Sequence, residues 1–361
     1  MIPLTCRLDP VLATLYANNI TPIVVGGYVR DALMGIDSKD IDIELYGVSS
    51  LEDLENLLKP FGKVGVYGKS FGVLKLKIDD LDIDFSPPRT ESKNGFGHTG
   101  FTVEFTGNLD FERASARRDF TINAIGYDPK SNTLLDPHGG VEDLRNKTLC
   151  YVSHESFADD PLRVLRAVQF AGRFELTCDN DLLVLCREMI AHGALDELPK
   201  ERIFEELNKL LMLSRKPSLG LKLLDTMGGR TLLGGMDDTA WIKALVQCEA
   251  MALTRNGDQR HDLPLLFASL LLDVKNPKKV LERISFHGWL MRSALEIIDF
   301  AKKTTRIEFP PKPLLQGRDL IALGFLPSHD FATILNEAFE AQIQGVFQTY
   351  TQAKRWLVTK R

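Results

Sequence analysis

The alternation of apolar and polar positions changes character once along the chain. Over the first 150 residues the apolar positions form short runs, punctuated by Gly, Pro and Asp. Residues 23–25, 41–45, 63–67, 73–78 and 81–85 read as strands, with Asp79-Asp80 as the turn of a hairpin. Residues 11–18 are expected to form a short helix and 28–34 to start one after the glycines, and 51–58 carry apolar residues three and four apart, the helical period. Residues 86–105 (SPPRTESKNGFGHTGFTVEF) are rich in Pro, Gly, Ser and Thr over their first two-thirds and predict a long mobile loop.

From about residue 155 strand signals become rare. Helices are expected at 161–174, 179–192, 200–212, 218–227, 239–254, 263–273, 278–286, 290–303 and 317–323. A last one, over 331–356, should break near Gly345. There is no internal repeat and no low-complexity tract. The plan is an α/β head over 1–150 followed by an all-helical remainder.

Composition changes this picture little. The chain is 44% hydrophobic and 26% charged, the balance of an ordinary soluble protein. No apolar run approaches the roughly 20 residues of a membrane span, and MIPLTCRLDP lacks a signal-peptide layout. Five scattered cysteines without a CxxC pair suggest neither a disulfide framework nor a zinc knuckle, so a cytoplasmic location is expected. A net charge of -5 counts against a protein that coats nucleic acid. Local basic patches at 200–202, 215–216, 275–279, 302–306 and 354–361 still permit a grip on RNA, although each alone reads as a solvated helix end or loop.

The chemistry begins at VVGGYVRDALMG (24–35). A glycine pair at a strand-to-helix turn lets backbone N–H groups approach a phosphate, and a structural turn would look the same. The pattern is neither a Walker loop nor GxGxxG. Asp40 and Asp42 follow in DIDIEL, and on a strand they project from one face. Adjacent carboxylates repel, so they make poor structure and good ligands for Mg²⁺. Asp82-Ile83-Asp84 repeats the pattern on a later strand. If the strands are neighbours, three carboxylates can hold two Mg²⁺ about 3.5–4 Å apart for a phosphoryl transfer. Arg117-Arg118-Asp119 suits a triphosphate and ribose, or a surface ion pair.

Taken in order, GGYVRDALMG–DID, RTES, RRDFTINAI, DDPLRVLRAVQFAGRF and PKERIFEEL resemble the class II tRNA nucleotidyltransferases, the bacterial CCA-adding enzymes and their poly(A) polymerase relatives. The resemblance covers about residues 20–210, and PLLQGRDLIALG is similar to a segment of longer bacterial members. It implies a nucleotidyltransferase palm with a mixed five-stranded sheet, then an all-α neck, body and tail. It implies metal binding by Asp40 and Asp42, with Asp84 as a third catalytic carboxylate. Triphosphate contacts are implied for Gly27, Arg30 and Arg118, and nucleotide contacts for Arg163 and Arg166. The implied partners are tRNA, CTP and ATP, and no membrane or protein partner is implied. The implied reaction is CCA addition at the tRNA 3′ end, with attack by the 3′-hydroxyl and release of pyrophosphate. A-only or CC-only addition, poly(A) synthesis and a catalytically silent RNA-binding protein are the alternatives.

Asp160 and Arg163, three apart, can meet on one helix face, where Asp160 also reads as a plain N-cap with Arg163 as its ion partner. The family uses the matching pair to select bases. Cytosine and adenine each offer an amine beside a ring nitrogen, which a carboxylate and a guanidinium complement. Two positions depart from the family pattern: Asp159 replaces a common Glu, and Gln169 a common Arg. His261-Asp262 lacks the further His ligands of a metal-dependent phosphohydrolase, so no such activity is expected.

Overall fold

The computed structural model describes residues 2–67, 72–93, 101–105, 109–327 and 330–360. These form two compact units, Met1–Leu232 and Leu233–Arg361.

The first unit opens with α1 (Asp9–Ala17), β1 (Thr21–Val25), α2 (Gly27–Leu33), β2 (Asp40–Tyr46), α3 (Leu51–Leu58), β3 (Lys63–Tyr67), β4 (Val73–Ile78) and β5 (Leu81–Ser86). A two-stranded antiparallel ribbon follows, β6 (Arg89–Lys93) and β7 (Phe101–Phe105). It stands where a structureless loop was expected. The β-branched and aromatic residues in RTESK and FTVEF favour pairing over coil. The remainder of that expectation, residues 94–100, lies outside the described residues. Then come α4 (Phe111–Ser115), β8 (Gly126–Asp128), β9 (Thr133–Leu135), α5 (Gly140–Arg145), β10 (Thr148–Leu149) and α6 (His154–Asp159). Last are α7 (Leu162–Phe174), β11 (Thr177–Cys178), α8 (Asn180–Ala191), α9 (Lys200–Leu213) and α10 (Pro217–Thr226).

The main sheet has the order β3-β4-β5-β2-β1-β8-β9. It is mixed, as expected: β2 and β5 run parallel, and every other pair is antiparallel. It has seven strands rather than five, because β8 and β9 add a hairpin too short to show as alternation. Ile41, Ile43 and Leu45 of β2 pack with Leu74, Leu76, Ile83 and Phe85, against Leu12 and Leu15 of α1 and Leu54 and Leu58 of α3. Burial of each such side chain is worth about 1.5–3 kcal/mol. That core fixes the parity of β2 and β5. Once the aliphatics face the helices, Asp40, Asp42, Asp82 and Asp84 must face the other way.

Helices α7, α9 and α10 pack at close range, and two glycines permit it. A Cβ at Gly220 would stand 2.3 Å from the Val168 carbonyl oxygen, and one at Gly172 would stand 2.4 Å from Leu210 Cδ1. Gln169, which departs from the Arg expected there, is buried on α7.

The second unit is helical among its described residues. It comprises α11 (Asp238–Leu253), α12 (Gln259–Leu271), α13 (Pro277–Ile284), α14 (Gly288–Thr304), α15 (Gly317–Ala322), α16 (Asp330–Ile343) and α17 (Tyr350–Val358). Gly345, at φ +77°, separates the last two, where the break was expected. Leu320, Phe347, Ala353 and Leu357 form a small core of their own. Asp319 caps α15 and accepts the Tyr350 hydroxyl, which ties α15 to α17. His261 bonds Asp262 at 2.9 Å, and Asp262 also accepts the Asn256 and Gly257 N–H groups at 3.0 and 2.8 Å. The pair therefore shapes a turn ahead of α12. No helix is long and apolar enough to cross a membrane among the described residues.

Gly220→Ala should force its methyl into a carbonyl. We expect a loss of about 1–3 kcal/mol, read as a lower melting temperature. An unchanged melt would show that α10 has room to shift.

Candidate active site

Strand register assembles an acidic corner. Asp40 and Asp42 lie opposite Asp82 and Asp84 across the β2–β5 pair, and Lys75 on β4 lies opposite Asp84. The Lys75 ammonium stands 3.2 Å from an Asp84 carboxylate oxygen. That contact raises the Lys75 pKa. The Asp42 carboxyl is pushed above the usual range, chiefly by the protein around it. Arg118 opposes that shift, and Asp84 and Asp40 add to it.

Among the described residues no three His, Cys, Asp or Glu side chains close into a metal cage. Two adjacent carboxylates whose repulsion is only partly compensated suit a hard cation that keeps water and phosphate in its shell. The residues present at Asp40 and Asp42 therefore fit magnesium.

The glycine turn adjoins this corner. Gly26 has φ +74°, a conformation that favours glycine. A Cβ there would stand 3.1 Å from Arg118 Nη1 and 3.4 Å from Asp42 Oδ2. The first glycine of the pair thus leaves room for the arginine and the acid, and Gly27 opens α2. Arg30 stands one turn on but is only 5% exposed. Its guanidinium donates to Asp31 and Asn123 and lies 5.1 Å and 4.6 Å from the ring centres of Phe170 and Phe174 on α7. The same guanidinium adjoins the glycine turn, where a Cβ at Gly27 would stand 3.4 Å from Arg30 Nη2.

Arg118 also borders a cavity of about 280 Å³. Arg117, Arg118, Arg163, Arg166 and Arg202 line it, with Asp119 and Asp160. Arg166 Nε donates to Asp119 Oδ2 at 2.6 Å, and Asp119 Oδ1 accepts the Phe120 N–H at 2.8 Å and Asn123 Nδ2 at 3.0 Å. Burial favours the neutral form of Asp119. The Arg166 charge and the hydrogen bonds from Asn123 and Arg166 outweigh it, and the carboxyl ends below its ordinary range. Arg163 donates to the Arg117 carbonyl at 2.7 Å and to Ser156 Oγ at 3.0 Å.

Asp160 is held by Leu162 and Arg202. It accepts the Leu162 N–H at 3.1 Å at the start of α7, and Arg202 grips both its oxygens at 3.2 and 3.0 Å. The Asp160–Arg163 spacing allowed a local pair, and the fold supplies a bidentate partner 42 residues away.

The structure gathers the predicted residues other than Gly27 and Arg30 in two adjoining places. Asp40, Asp42 and Asp84 form the acidic corner; Asp160, Arg163 and Arg166 border the cavity; Arg118 belongs to both. The sequence analysis names Asp119 beside its arginines but assigns no role to Arg202, Ser156 or Glu44. Arg202 stands inside PKERIFEEL, where by itself it reads as part of a solvated basic patch.

Comparison with known proteins places this geometry. Residues 23–150 match the poly A polymerase head domain, and residues 176–228 match a probable RNA and SrmB-binding site of polymerase A. A CCA-adding enzyme of Coxiella burnetii is 32% identical over 276 residues, which cover 76% of this chain and 68% of that one. The chain belongs to the CCA-adding enzyme family. A multifunctional CCA protein of Xylella fastidiosa is 39% identical over 208 residues, covering 56% of this chain and 47% of that protein. The chain thus spans about half the length of several curated relatives in the family. Solved structures share the fold. A CCA-adding enzyme in an apo form matches with a TM-score of 0.72 at 19% identity, covering 99% of this chain and 97% of that one. A Thermotoga maritima CCA-adding enzyme complexed with tRNA matches with a TM-score of 0.69 at 20% identity, covering 99% and 96%.

The lowered Asp119 carboxyl makes a prediction about acid stability. Its contribution is fully present above the unfolded value of about 3.9, and it is lost as pH falls through the lower folded value. Denaturant melts from pH 7 to 2 should show a steeper acid loss for the native chain than for Asp119→Asn. Parallel curves would remove Asp119 from the acid response.

Proposed function

We propose that this chain is a template-independent RNA nucleotidyltransferase that adds CCA to the 3′ end of tRNA from CTP and ATP and releases pyrophosphate. The observation that carries the reading is Arg118, which borders both the acidic corner and the arginine-rich cavity. One nucleotide can span the two, with its phosphates at the corner and its base in the cavity. Magnesium bound at Asp40 and Asp42, with Asp84 beside them, would supply charge neutralisation for a two-metal, in-line displacement.

The chain's own groups do the rest. Gly26 and Gly27 keep side chains away from the phosphates, and Arg118 donates to them. Arg30, from its buried place, braces the turn against α7. Asp160 accepts from the base amine of C or A, and Arg163 donates to the neighbouring ring nitrogen. A carbonyl base would leave Asp160 facing an acceptor, the strong kind of rejection. Arg166, neutralised by Asp119, holds the cavity wall. In this reading 1–150 is the catalytic head, 151–215 the base-selecting neck and 216–361 the tRNA-binding body and tail. The likeness to CCA-adding enzymes described with CTP, ATP and tRNA supports these substrates.

Asp40→Ala or Asp42→Ala should abolish nucleotide addition and leave tRNA binding nearly intact. Near-normal turnover with Mg²⁺ in either variant would sink the carboxylate assignment. Asp160→Ala should lose kcat/KM for CTP and ATP and lose preference over UTP by one to two orders of magnitude, on the basis of roughly 1.5–3 kcal/mol for a charge-assisted hydrogen bond. A variant that melts earlier yet still prefers CTP would return Asp160 to a capping role. Arg202→Ala should follow Asp160→Ala in selectivity, because it frees the carboxylate to rotate.

A further inference from the structure

Strand β2 carries a third acid beyond Asp40 and Asp42. Glu44 keeps their alternation, yet its side chain is 0% exposed. Its Oε1 accepts Arg117 Nη2 at 2.9 Å and Arg118 Nη2 at 3.3 Å, and its Oε2 accepts the Tyr46 hydroxyl at 3.1 Å. A buried carboxylate is tolerated only when paired and hydrogen-bonded, and here one carboxylate holds two guanidinium groups.

Both arginines lead into the nucleotide site. Arg118 Nη1 is the atom beside Gly26, and it also donates to the Asn123 carbonyl at 3.4 Å. The Arg117 carbonyl accepts Arg163 Nη2 at 2.7 Å and Ser156 Oγ at 3.1 Å. The carboxylate that fixes the arginine at the acidic corner thus also fixes the residue that fixes Arg163.

We propose that Glu44 is a positioning residue that couples the phosphate end of the site to its base-selecting end. It sets Arg118 directly, and it sets Arg163 through the Arg117 backbone. The inference rests on the reading of Arg118 and Arg163 as nucleotide contacts. Glu44→Gln preserves size and removes the charge that both arginines share. Tyr46→Phe removes the third partner of the same carboxylate and touches neither arginine.

The test is calorimetric titration with inorganic tripolyphosphate, CTP and UTP at fixed Mg²⁺, on the native chain and both variants, beside thermal melts. Tripolyphosphate reads Arg118 without a base, and the ratio of CTP to UTP affinity reads Arg163. Glu44→Gln should bind tripolyphosphate about tenfold or more weakly and should lose CTP preference together with it. Tyr46→Phe should melt earlier and bind like the native chain. If Glu44→Gln does not fold, Glu44→Asp keeps the charge one methylene short, and the same paired losses are expected. Three results overturn the coupling: unchanged tripolyphosphate binding in the Glu44 variant, weakened tripolyphosphate binding with CTP preference intact, or equal losses in Tyr46→Phe. A native chain that binds tripolyphosphate but does not distinguish CTP from UTP would instead sink the base-selection reading, and the coupling with it.

Discussion

Asp42 and Asp84 face each other across a parallel strand pair, and like charges so placed need compensation. The hydrophobic core imposes the placement: Ile41, Ile43, Ile83 and Phe85 must face the helices, so the acids cannot. Compensation is partial. Lys75 reaches Asp84 and Arg118 approaches Asp42, while burial holds the Asp42 carboxyl above its ordinary range and Asp84 and Asp40 add to that shift. A site that stays short of positive charge is prepared for a cation and does not need to be rebuilt to accept one.

The cavity beside it has the opposite problem. Five guanidinium groups around about 280 Å³ repel one another. Each is tied to a fixed acceptor: Glu44 for Arg117 and Arg118, backbone carbonyls and Ser156 for Arg163, Asp119 for Arg166, Asp160 for Arg202. The acceptors hold the arginines in place without cancelling their surplus of positive charge. Arginine suits this use because its planar fork retains donors after one edge is engaged. Triphosphate and base can then be met by groups that need little reordering, which is where preorganised electrostatics contributes most.

How much of this was legible in the sequence varies by segment. The strands from residue 21 to 86 and the helices after 160 were legible because their apolar periods are regular. Leu51–Leu58 and Lys63–Tyr67 match their expected bounds. The stretch between was not. Strands of three residues such as Thr133–Leu135 carry no period, and the β6–β7 ribbon hid within a Pro- and Gly-rich run. For the site, the same-face acids were readable because a strand has period two. Partners were not: Asp160 finds Arg202 and Glu44 finds Arg117 and Arg118 through tertiary packing, at separations no local pattern encodes. Nor was the packing of Arg30 legible: the resemblance implies a phosphate contact for it, and Phe170 and Phe174 are brought over it by a helix 140 positions later.

The central claim is that one nucleotide spans the acidic corner and the arginine cavity and is joined to RNA there. The most direct measurement is single-nucleotide extension of a tRNA that ends before its CCA, with labelled CTP, ATP, UTP and GTP supplied singly and then CTP with ATP together. The account predicts two additions from CTP alone, completion to CCA when ATP is also present, and no extension by UTP or GTP. Extension by all four nucleotides alike, or none by any in the presence of Mg²⁺, would contradict it.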